Sequence, residues 1–308
     1  MSNTVPSPIA AKAAPAVFVV LWSTGFIGAK LGLPHAEPFT FLALRMLIVL
    51  AILLPVALIF AKQWPGKAAF AHSMVTGLLV HGVYLGGVFY AMSLGMSAGV
   101  AALVVALQPM VTAIAARFML GEQLTPVQIG GLVAGLAGVA LVVAPKLAGG
   151  PAIEGISLQT LLPVTAAMAG ISLGTVYQKR FVPGIDLRIA APAQYCGALL
   201  PLALLSALTE TWQIEWSGEF IFALAWLVLV LSIGAVGLLM LLIRFNTAAS
   251  TASLFYLVPA VTAIIAWLMF DEKLEPVQLL GMGIVTIAVA LATRTSGQHR
   301  HKQKARRG

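Results

Sequence analysis

Charged residues are scarce in this chain, and their scarcity excludes an ordinary soluble protein. Only 9% of the 308 residues are Asp, Glu, Lys or Arg, while 60% are hydrophobic. A soluble domain carries about 25% charged residues, so most of this surface must face a solvent other than water. Apolar stretches of about 20 residues, long enough to cross a bilayer, recur along the sequence. The composition therefore predicts a membrane protein.

Other absences narrow the possible chemistry. The single cysteine, Cys196, excludes a disulfide framework and a thiolate metal site. The sequence contains no ATP-binding motif, and we expect neither a cofactor nor a metal. The net charge of +8 does not indicate nucleic-acid binding, because six basic residues crowd into the tail 294-RTSGQHRHKQKARRG-308. Such a tail is typical of a solvated end beside anionic lipid.

The apolar sequence divides into ten predicted membrane spans, separated at charged, proline or glycine-rich points. The first five lie near residues 14–33, 39–61, 70–92, 97–120 and 126–145. The second five lie near residues 157–181, 186–208, 219–243, 247–270 and 276–293. None of these spans carries an Asp or Glu deep inside it. Proton coupling would therefore have to use a histidine or an acid at the end of a span, or be absent.

The distribution of Lys and Arg predicts the orientation, because cytoplasmic loops carry an excess of these residues. With the N-terminus in the cytoplasm, fourteen of the eighteen cations fall at cytoplasmic ends. Eight of the ten acids then fall on the outside: Glu37, Glu154, Glu210, Glu215, Glu219, Asp271, Glu272 and Glu275. We therefore predict that both termini are cytoplasmic.

One polar segment occurs twice with a similar sequence, as 121-GEQLTPVQ-128 and 271-DEKLEPVQ-278. Aligned at an offset of 150, residues 109–131 and 259–281 are identical at thirteen of twenty-three positions. This extent of identity indicates an internal duplication.

The number of spans in each half decides how the two copies lie in the membrane. Each half holds five predicted spans, an odd number, so the second copy must enter the membrane from the opposite face. Inverted repeats are characteristic of secondary transporters, whose substrate site lies near mid-membrane between the halves. We predict two five-helix repeats of inverted topology, residues 1–148 and 149–294, followed by a basic cytoplasmic tail, residues 295–308.

Several runs of the sequence resemble a known family. They are 22-WSTGFIGAK-30, 44-LR-45 and the two copies 109–131 and 259–281. These runs resemble the EamA-type transporters of the drug/metabolite transporter superfamily. The resemblance implies ten helices in two inverted repeats, a central cavity and transport of small metabolites. Many members export amino acids, and this chain is similar to the branch of aromatic amino-acid and drug exporters.

His81 and Tyr84 are the first candidates for substrate binding. His81 is the only histidine predicted well inside a span, and Tyr84 follows at the i+3 position on the same helix face. Ionisable residues inside membranes are costly and usually face a cavity, and a histidine there can respond to pH. The alternative is a neutral imidazole hydrogen-bonded between helices. The equivalent positions, Leu231 and Gly234, show that symmetric packing does not require this pair.

Further candidates combine polar and aromatic side chains. Trp22, Ser23 and Thr24 fall in the middle of the first span, where the indole could stack on an apolar substrate. The alternative is that the hydroxyls bond to their own helix and the indole packs in the bundle. Gln108 precedes Pro109, which can kink a helix, and Tyr256 before Pro259 is the counterpart in the second copy.

Two cations near the outer face could bind a substrate carboxylate. Arg45 lies about two turns into the second span, and Lys30 lies near the end of the first. The alternative is snorkelling to the interface or bonding to nearby carbonyls. Arg45 has Gln194 as its equivalent, so the two halves differ in charge.

Three other residues have simpler interpretations. Glu122 and Glu272 could couple ions, but both lie between spans, shortly before a proline that can begin the next helix. Ser97 lies in 95-GMSAG-99, which matches the G-x-S-x-G of serine hydrolases. That motif needs a nearby His and acid, and no acid occurs from Val75 to Ala116. We predict a protein that is not an enzyme.

These observations together predict a secondary transporter of the bacterial inner membrane. It would export amino acids, including aromatic or apolar ones, and related amphipathic compounds by alternating access. The alternatives are a transporter of another metabolite or of a drug cation, an intramembrane enzyme using Ser97, and a membrane scaffold or receptor. The expected partners are a small-molecule substrate and membrane lipid, and the expected state is a monomer.

Overall fold

The computed structural model describes residues 8–60, 64–121, 126–147, 155–236, 238, 255, 257–272, 276–277 and 279–287. Within these residues the chain is helical apart from turns and an isolated bridge between Ala36 and Ile214. Seven helical stretches in this part are long and apolar enough to cross a membrane. The prediction of an all-α membrane protein is therefore confirmed. The last residue of the second predicted span and parts of the eighth, ninth and tenth lie outside the described residues.

The first half contains α-helices interrupted by one π-helical segment. The elements are α1 (Pro8–Gly32), α2 (Pro38–Phe60), α3 (Lys67–Gly77), π1 (Leu78–Val83), α4 (Tyr84–Ser93), α5 (Ala98–Val105), α6 (Gln108–Leu120) and α7 (Pro126–Leu147). The three elements α3, π1 and α4 together form one membrane-length helix, Lys67–Ser93. Helices α5 and α6 likewise form one span, Ala98–Leu120, with a turn in its middle.

The second half repeats this order as far as the structure describes it. The elements are α8 (Leu158–Phe181), α9 (Leu187–Thr209), α10 (Gly218–Ala225), π2 (Trp226–Ala235) and α11 (Val258–Phe270). Residues 279–287 are also helical. Helix α10 and π2 form one span, Gly218–Ala235.

The repeated polar segment, residues 121–128 and 271–278, begins where a helix ends in both halves. Gly121 caps α6 with φ of 69°, and Asp271 caps α11 with φ of 51°, so both take the left-handed conformation that closes a helix. Pro126 then begins α7. The repeated polar segment therefore ends one helix and begins another. Glu122 lies outside the described residues.

Pro109 and Pro259 do not kink continuous helices. Each lies in the first turn of a new helical segment, α6 or α11. In a first turn the N–H that proline lacks would have no partner within the helix. The kink expected beside Gln108 is instead a full break, formed by the turn between Val105 and Gln108.

Helices α3 and α9 approach until their backbones touch, at two glycines. A Cβ atom on Gly77 would lie 1.9 Å from the backbone oxygen of Gln194, and one on Gly197 would lie 2.1 Å from that of Met74. Only glycine avoids a clash at such distances. This contact holds Gln194 and its neighbour Tyr195 against π1.

The end of α9 contacts the start of α2. The carboxylate of Glu210 accepts hydrogen bonds from the backbone N–H groups of Phe39 at 2.8 Å and Thr40 at 2.6 Å. A negative charge at a helix N-terminus is stabilising. His35, in the turn before α2, contacts Glu215 at 3.1 Å, and this carboxylate raises the pKa of His35 above its usual value. Polar groups from both halves therefore meet at this end of the bundle.

Candidate functional site

A cavity lies between helices from both halves of the chain. Its volume is about 640 Å³, including the part that is open to its surroundings. The polar and aromatic residues that line it are Trp22, Phe26, Arg45, His81, Tyr84, Phe89, Tyr195 and Ser232. Aliphatic side chains and a glycine form the rest of the wall.

Arg45 supplies a buried positive charge to this cavity. Its side chain projects from α2 and only 6% of the residue is exposed. The guanidinium donates two hydrogen bonds to the hydroxyl of Ser232 in π2, from Nη2 at 3.0 Å and from Nε at 3.3 Å. Arg45 therefore neither snorkels to the interface nor bonds to a carbonyl in the described part. An arginine stays protonated in proteins, so a full charge faces the cavity.

His81 and Tyr84 lie together on the cavity wall, as their spacing predicts. The ring of His81 stacks on that of Tyr195 from α9, with centroids 4.6 Å apart and planes 12° from parallel. The side chain of Gln194 lies close to His81. Tyr84 is buried at the start of α4. The imidazole is thus held between the halves and also borders the cavity.

Both halves place a π-helical segment at the cavity. Residues 78–83 of π1 correspond, at the repeat offset of 150, to residues 228–233, which fall inside π2. His81 comes from π1, and Leu231 and Ser232 come from π2. A π-helical stretch shifts the side chains relative to an α-helix, and such segments occur frequently at functional sites. The two segments help to aim His81 and Ser232 inward.

The three candidates in the first span have different positions. Trp22 lines the cavity and packs edge-on against Phe255, with centroids 5.2 Å apart. Ser23 is buried elsewhere and donates to the backbone oxygens of Val19 at 2.7 Å and Val258 at 3.3 Å. Thr24 donates to a backbone oxygen of its own helix and accepts a hydrogen bond from the Trp226 indole at 2.9 Å. Of the three, only Trp22 faces the cavity.

Gln108 and Tyr256 are not among the described residues that line the cavity. Gln108 is partly buried at the start of α6, where its backbone oxygen accepts a hydrogen bond from Ser172 at 3.2 Å. It is not among the residues that border the cavity. Tyr256 lies outside the described residues. Their roles stay predictions.

Lys30 lies outside the cavity and forms an ion pair. Its Nζ is 2.7 Å from Oε2 of Glu272, which follows α11, and 4.7 Å from the centre of the Phe270 ring. The Glu272 side chain is only 11% exposed, and its second oxygen, Oε1, is buried with no hydrogen-bond partner among the described residues. Glu272 is therefore more than a linker residue, because it joins the second half to the end of α1.

We expect the Lys30–Glu272 pair to stabilise the bundle without contributing to substrate affinity. Lys30→Met and Glu272→Gln should each lower the free energy of unfolding, and the double variant should lose less than their sum. Since Lys30 is 33% exposed, solvent weakens the pair, and a coupling of about 1 kcal/mol is expected. Chemical unfolding in detergent micelles measures this coupling. Additive losses, or a raised KM for transport in Lys30→Met without a change in stability, would contradict the assignment.

Ser97 has a structural role in the described part. It precedes α5, and its hydroxyl oxygen accepts a hydrogen bond from the backbone N–H of Val100 at 3.2 Å. Gly95 has φ of 96° in the turn before it. A serine that begins a helix in this way is a common N-cap, which accounts for the hydroxyl without invoking a nucleophile.

Tyr195 and Ser232 were missed by reasoning from the sequence, although weak signals for both exist. Tyr195 follows Gln194, the polar equivalent of Arg45. Ser232 is the one hydroxyl in the apolar run 226-WLVLVLSIGA-235. A polar group inside a membrane span costs free energy unless it has a partner, so the polar side chains of Tyr195 and Ser232 are expected partners of Arg45 or His81.

The cavity is lined by residues from both halves of the chain, and comparison with known proteins decides the family. The model of the EamA-like transporter family matches the chain twice, over residues 14–144 and 159–294. The chain belongs to the EamA-like transporter family. This match confirms the resemblance carried by the sequence motifs. An EamA-like transporter works in a membrane and moves small molecules, so the membrane environment and the small-molecule substrate follow from the family.

Bacterial relatives of this EamA-like transporter align over nearly its whole length. The uncharacterized transporter YvbV of Bacillus subtilis is 25% identical over 287 residues, 91% of this chain and 90% of the relative. A protein of Escherichia coli K12 named "probable amino-acid metabolite efflux pump" is 25% identical, covering 87% of this chain and 89% of its own. The inner membrane transporter YedA of the same strain is 25% identical over 275 residues.

A solved crystal structure has the same fold. It aligns with 95% of this chain and 99% of its own length, with a TM-score of 0.64 and 20% sequence identity. At that identity the likeness bears on the fold alone. The EamA-like transporter thus has a helical architecture already known from experiment.

Proposed function

We propose that this protein is a secondary transporter of the bacterial inner membrane that exports amino acids and related amphipathic metabolites. The observation that carries the proposal is the cavity between the halves, which combines one buried cation, Arg45, with aromatic walls. Ligand sites are mostly apolar with a few placed polar groups that fix orientation. A carboxylate on an apolar or aromatic body fits this combination.

The names of several relatives support the choice of substrate. The Escherichia coli relative described above, and one from Salmonella typhimurium with 26% identity, are named amino-acid metabolite efflux pumps. A relative from Streptantibioticus cattleyicolor, 28% identical over 204 residues, is named a terminal-alkyne amino-acid exporter. Localisation in the inner membrane is supported by the name of YedA.

The two halves of the transporter are inverted relative to each other. Lys30 and Lys179 are equivalent positions near the ends of α1 and α8. After α8 the chain continues into the 23 residues of α9, which span roughly 35 Å at 1.5 Å per residue. Helix α9 ends at Glu210, which bonds to Phe39 and Thr40 just beyond α1. The ends of α1 and α8 are thus separated by about the thickness of the hydrocarbon core of a bilayer. This separation supports the inverted arrangement of the two halves.

The charge distribution supports cytoplasmic termini. Glu37, Glu210, Glu215 and Glu272 gather at the end of the bundle where α1 finishes, through their contacts with Thr211, α2, His35 and Lys30. Arg180, at the end of α8, donates to the backbone oxygen of Met119 at the end of α6. Because Lys and Arg favour the cytoplasmic side, this second end faces the cytoplasm.

Substrate binding follows from the arrangement of the lining. The carboxylate pairs with the Arg45 guanidinium, which has more N–H donors than the two bound to Ser232. The apolar body lies against Trp22, Phe26 and Phe89. Movement of one half against the other then exposes the cavity to each side of the membrane in turn.

Transport by the purified protein in liposomes tests the proposal. Full-length protein is reconstituted into liposomes that contain only buffer, and a panel of radiolabelled amino acids and their deaminated derivatives is added outside. We expect uptake of at least one aromatic or apolar compound down its own gradient, with no imposed proton or sodium gradient. The physical reason is that no acid lies deep inside a predicted span to carry a coupled ion.

Two outcomes would contradict this proposal. If none of the panel crosses protein-containing liposomes faster than empty ones, the substrate assignment is wrong. If uptake occurs only with an imposed ion gradient, transport of the panel stands but the uncoupled mechanism is wrong. Liposomes containing Arg45→Gln serve as a matched control for leakage.

A further inference from the structure

The cavity contains a buried positive charge, and no described residue that borders it carries a negative charge to balance it. Arg45 is 6% exposed, and its hydrogen-bond partner in the described part is the neutral hydroxyl of Ser232. The nearby polar groups, His81, Tyr84 and Tyr195, carry no negative charge at neutral pH. Burial of a charge is unfavourable unless it is paired. The cavity therefore favours entry of an anion.

The sequence excludes a balancing acid in the surrounding helices. No Asp or Glu occurs in residues 38–121, 155–185, 187–209 or 220–270. Among the described residues, every Asp and Glu lies at the end of a helix or between helices. The undescribed residues within 220–270 cannot supply one either, because the sequence there has none. A positively charged group on the substrate would find no carboxylate in these segments.

The two halves contribute matching polar pairs, and only one pair is charged. Arg45 in α2 pairs with Ser232 in π2. Its equivalent, Gln194 in α9, approaches His81 in π1, and His81 is equivalent to Leu231, the neighbour of Ser232. The charged end of a substrate therefore belongs at Arg45, while the neutral pair is suited to a hydroxyl, keto or amide group.

The aromatic walls are a weaker partner for an ammonium group than an acid would be. A ring face can attract an ammonium group, but one face of Tyr195 is already covered by the stacked ring of His81. An ammonium beside the carboxylate would also lie close to the guanidinium and be repelled by it in a site of low dielectric. An α-amino acid therefore loses part of the free energy that its carboxylate gains.

We propose that the cavity selects net monoanions: carboxylates on an apolar or aromatic body that lack a free ammonium group. Hydroxy acids, keto acids and N-acylated amino acids belong to this class. They are preferred over the zwitterionic amino acids and over cations. The proposal rests on the proposed transport function and ranks the substrates of the same cavity: the related amphipathic carboxylates bind more tightly than the amino acids themselves.

Four ligands that share one aromatic ring test this selectivity. The full-length protein in lipid nanodiscs is titrated with 3-phenyllactate, N-acetylphenylalanine, phenylalanine and phenethylamine at pH 7, and binding is measured calorimetrically. We expect the two monoanions to bind at least about tenfold more tightly than phenylalanine, equivalent to about 1.4 kcal/mol, and phenethylamine to bind least. Arg45→Gln should abolish the difference. Arg117→Gln, which removes an exposed cation at the end of α6, should preserve it.

Each other result has a distinct meaning. Phenylalanine binding as tightly as 3-phenyllactate, or more tightly, overturns the preference for monoanions and leaves amino-acid export intact. Tightest binding of phenethylamine overturns it in favour of a cation transporter. If none of the four ligands binds and none is transported in liposomes, the proposed function itself fails and the selectivity proposal falls with it.

Discussion

Arg45→Gln is expected to lower the kcat/KM of transport at least about 100-fold. Glutamine retains hydrogen-bonding groups but removes the charge that pairs with a substrate carboxylate. Loss of one partner of a buried charge pair costs about 2–5 kcal/mol, and 100-fold corresponds to about 2.7 kcal/mol. Initial rates of uptake into liposomes, over a range of substrate concentrations, measure the effect.

The stability of the same variant distinguishes a binding role from a structural one. Arg45 is buried with only a hydroxyl partner in the described part, so its removal should leave the Tm of the substrate-free protein unchanged or raise it. Ser232→Ala is the matched control, because it keeps the charge and removes its partner, and a smaller loss of transport is expected. If Arg45→Gln lowers expression and Tm together with transport, Arg45 has a structural role.

His81→Ala and Tyr84→Ala are expected to lower transport about tenfold each. Truncation of His81 removes the ring that stacks on Tyr195 at 4.6 Å and leaves Gln194 without its neighbour. Truncation of Tyr84 widens the cavity beside Arg45. Each change weakens the contacts that position a substrate. A tenfold loss corresponds to about 1.4 kcal/mol of binding free energy. The rates are measured in the same liposome assay.

The expression level and the Tm of these two variants are measured as controls. Both residues border a cavity, so we expect little loss of stability compared with truncation of a side chain in the packed core. Val88→Ala, which borders the same cavity with an aliphatic side chain, provides a comparison for a change of shape without loss of a polar group. If stability falls in proportion to transport, packing explains the effect and substrate contact does not.

Much of the candidate site could be predicted because charged and polar residues in membrane spans are rare. Arg45, His81, Tyr84 and Trp22 each stand out against an apolar background, and all four border the cavity. Six of the seven membrane-length helices begin and end within three residues of the predicted spans, and the seventh begins within one residue of its predicted start, since charged and proline-rich segments separate the spans. The same family model matches residues 14–144 and residues 159–294, one match in each half that the repeated polar segment indicates.

Neighbouring candidates could not be separated without the tertiary structure. Trp22 borders the cavity, whereas Ser23 and Thr24 bond to backbone or to Trp226. Successive residues in a helix point about 100° apart, and composition alone does not say which direction faces the cavity. The π-helical segments, which were not predicted, alter that direction again for His81 and Ser232.

Composition, the breaks between apolar stretches and the repeated motifs are local properties, and they were enough to predict a duplicated membrane protein that resembles the EamA-type transporters. They do not show that Arg45 faces the cavity while Lys30 pairs with Glu272, because those contacts depend on how the helices pack. Both are cations near the same predicted face of the membrane, and their roles differ because helices from the two halves bring a hydroxyl to one and a carboxylate to the other.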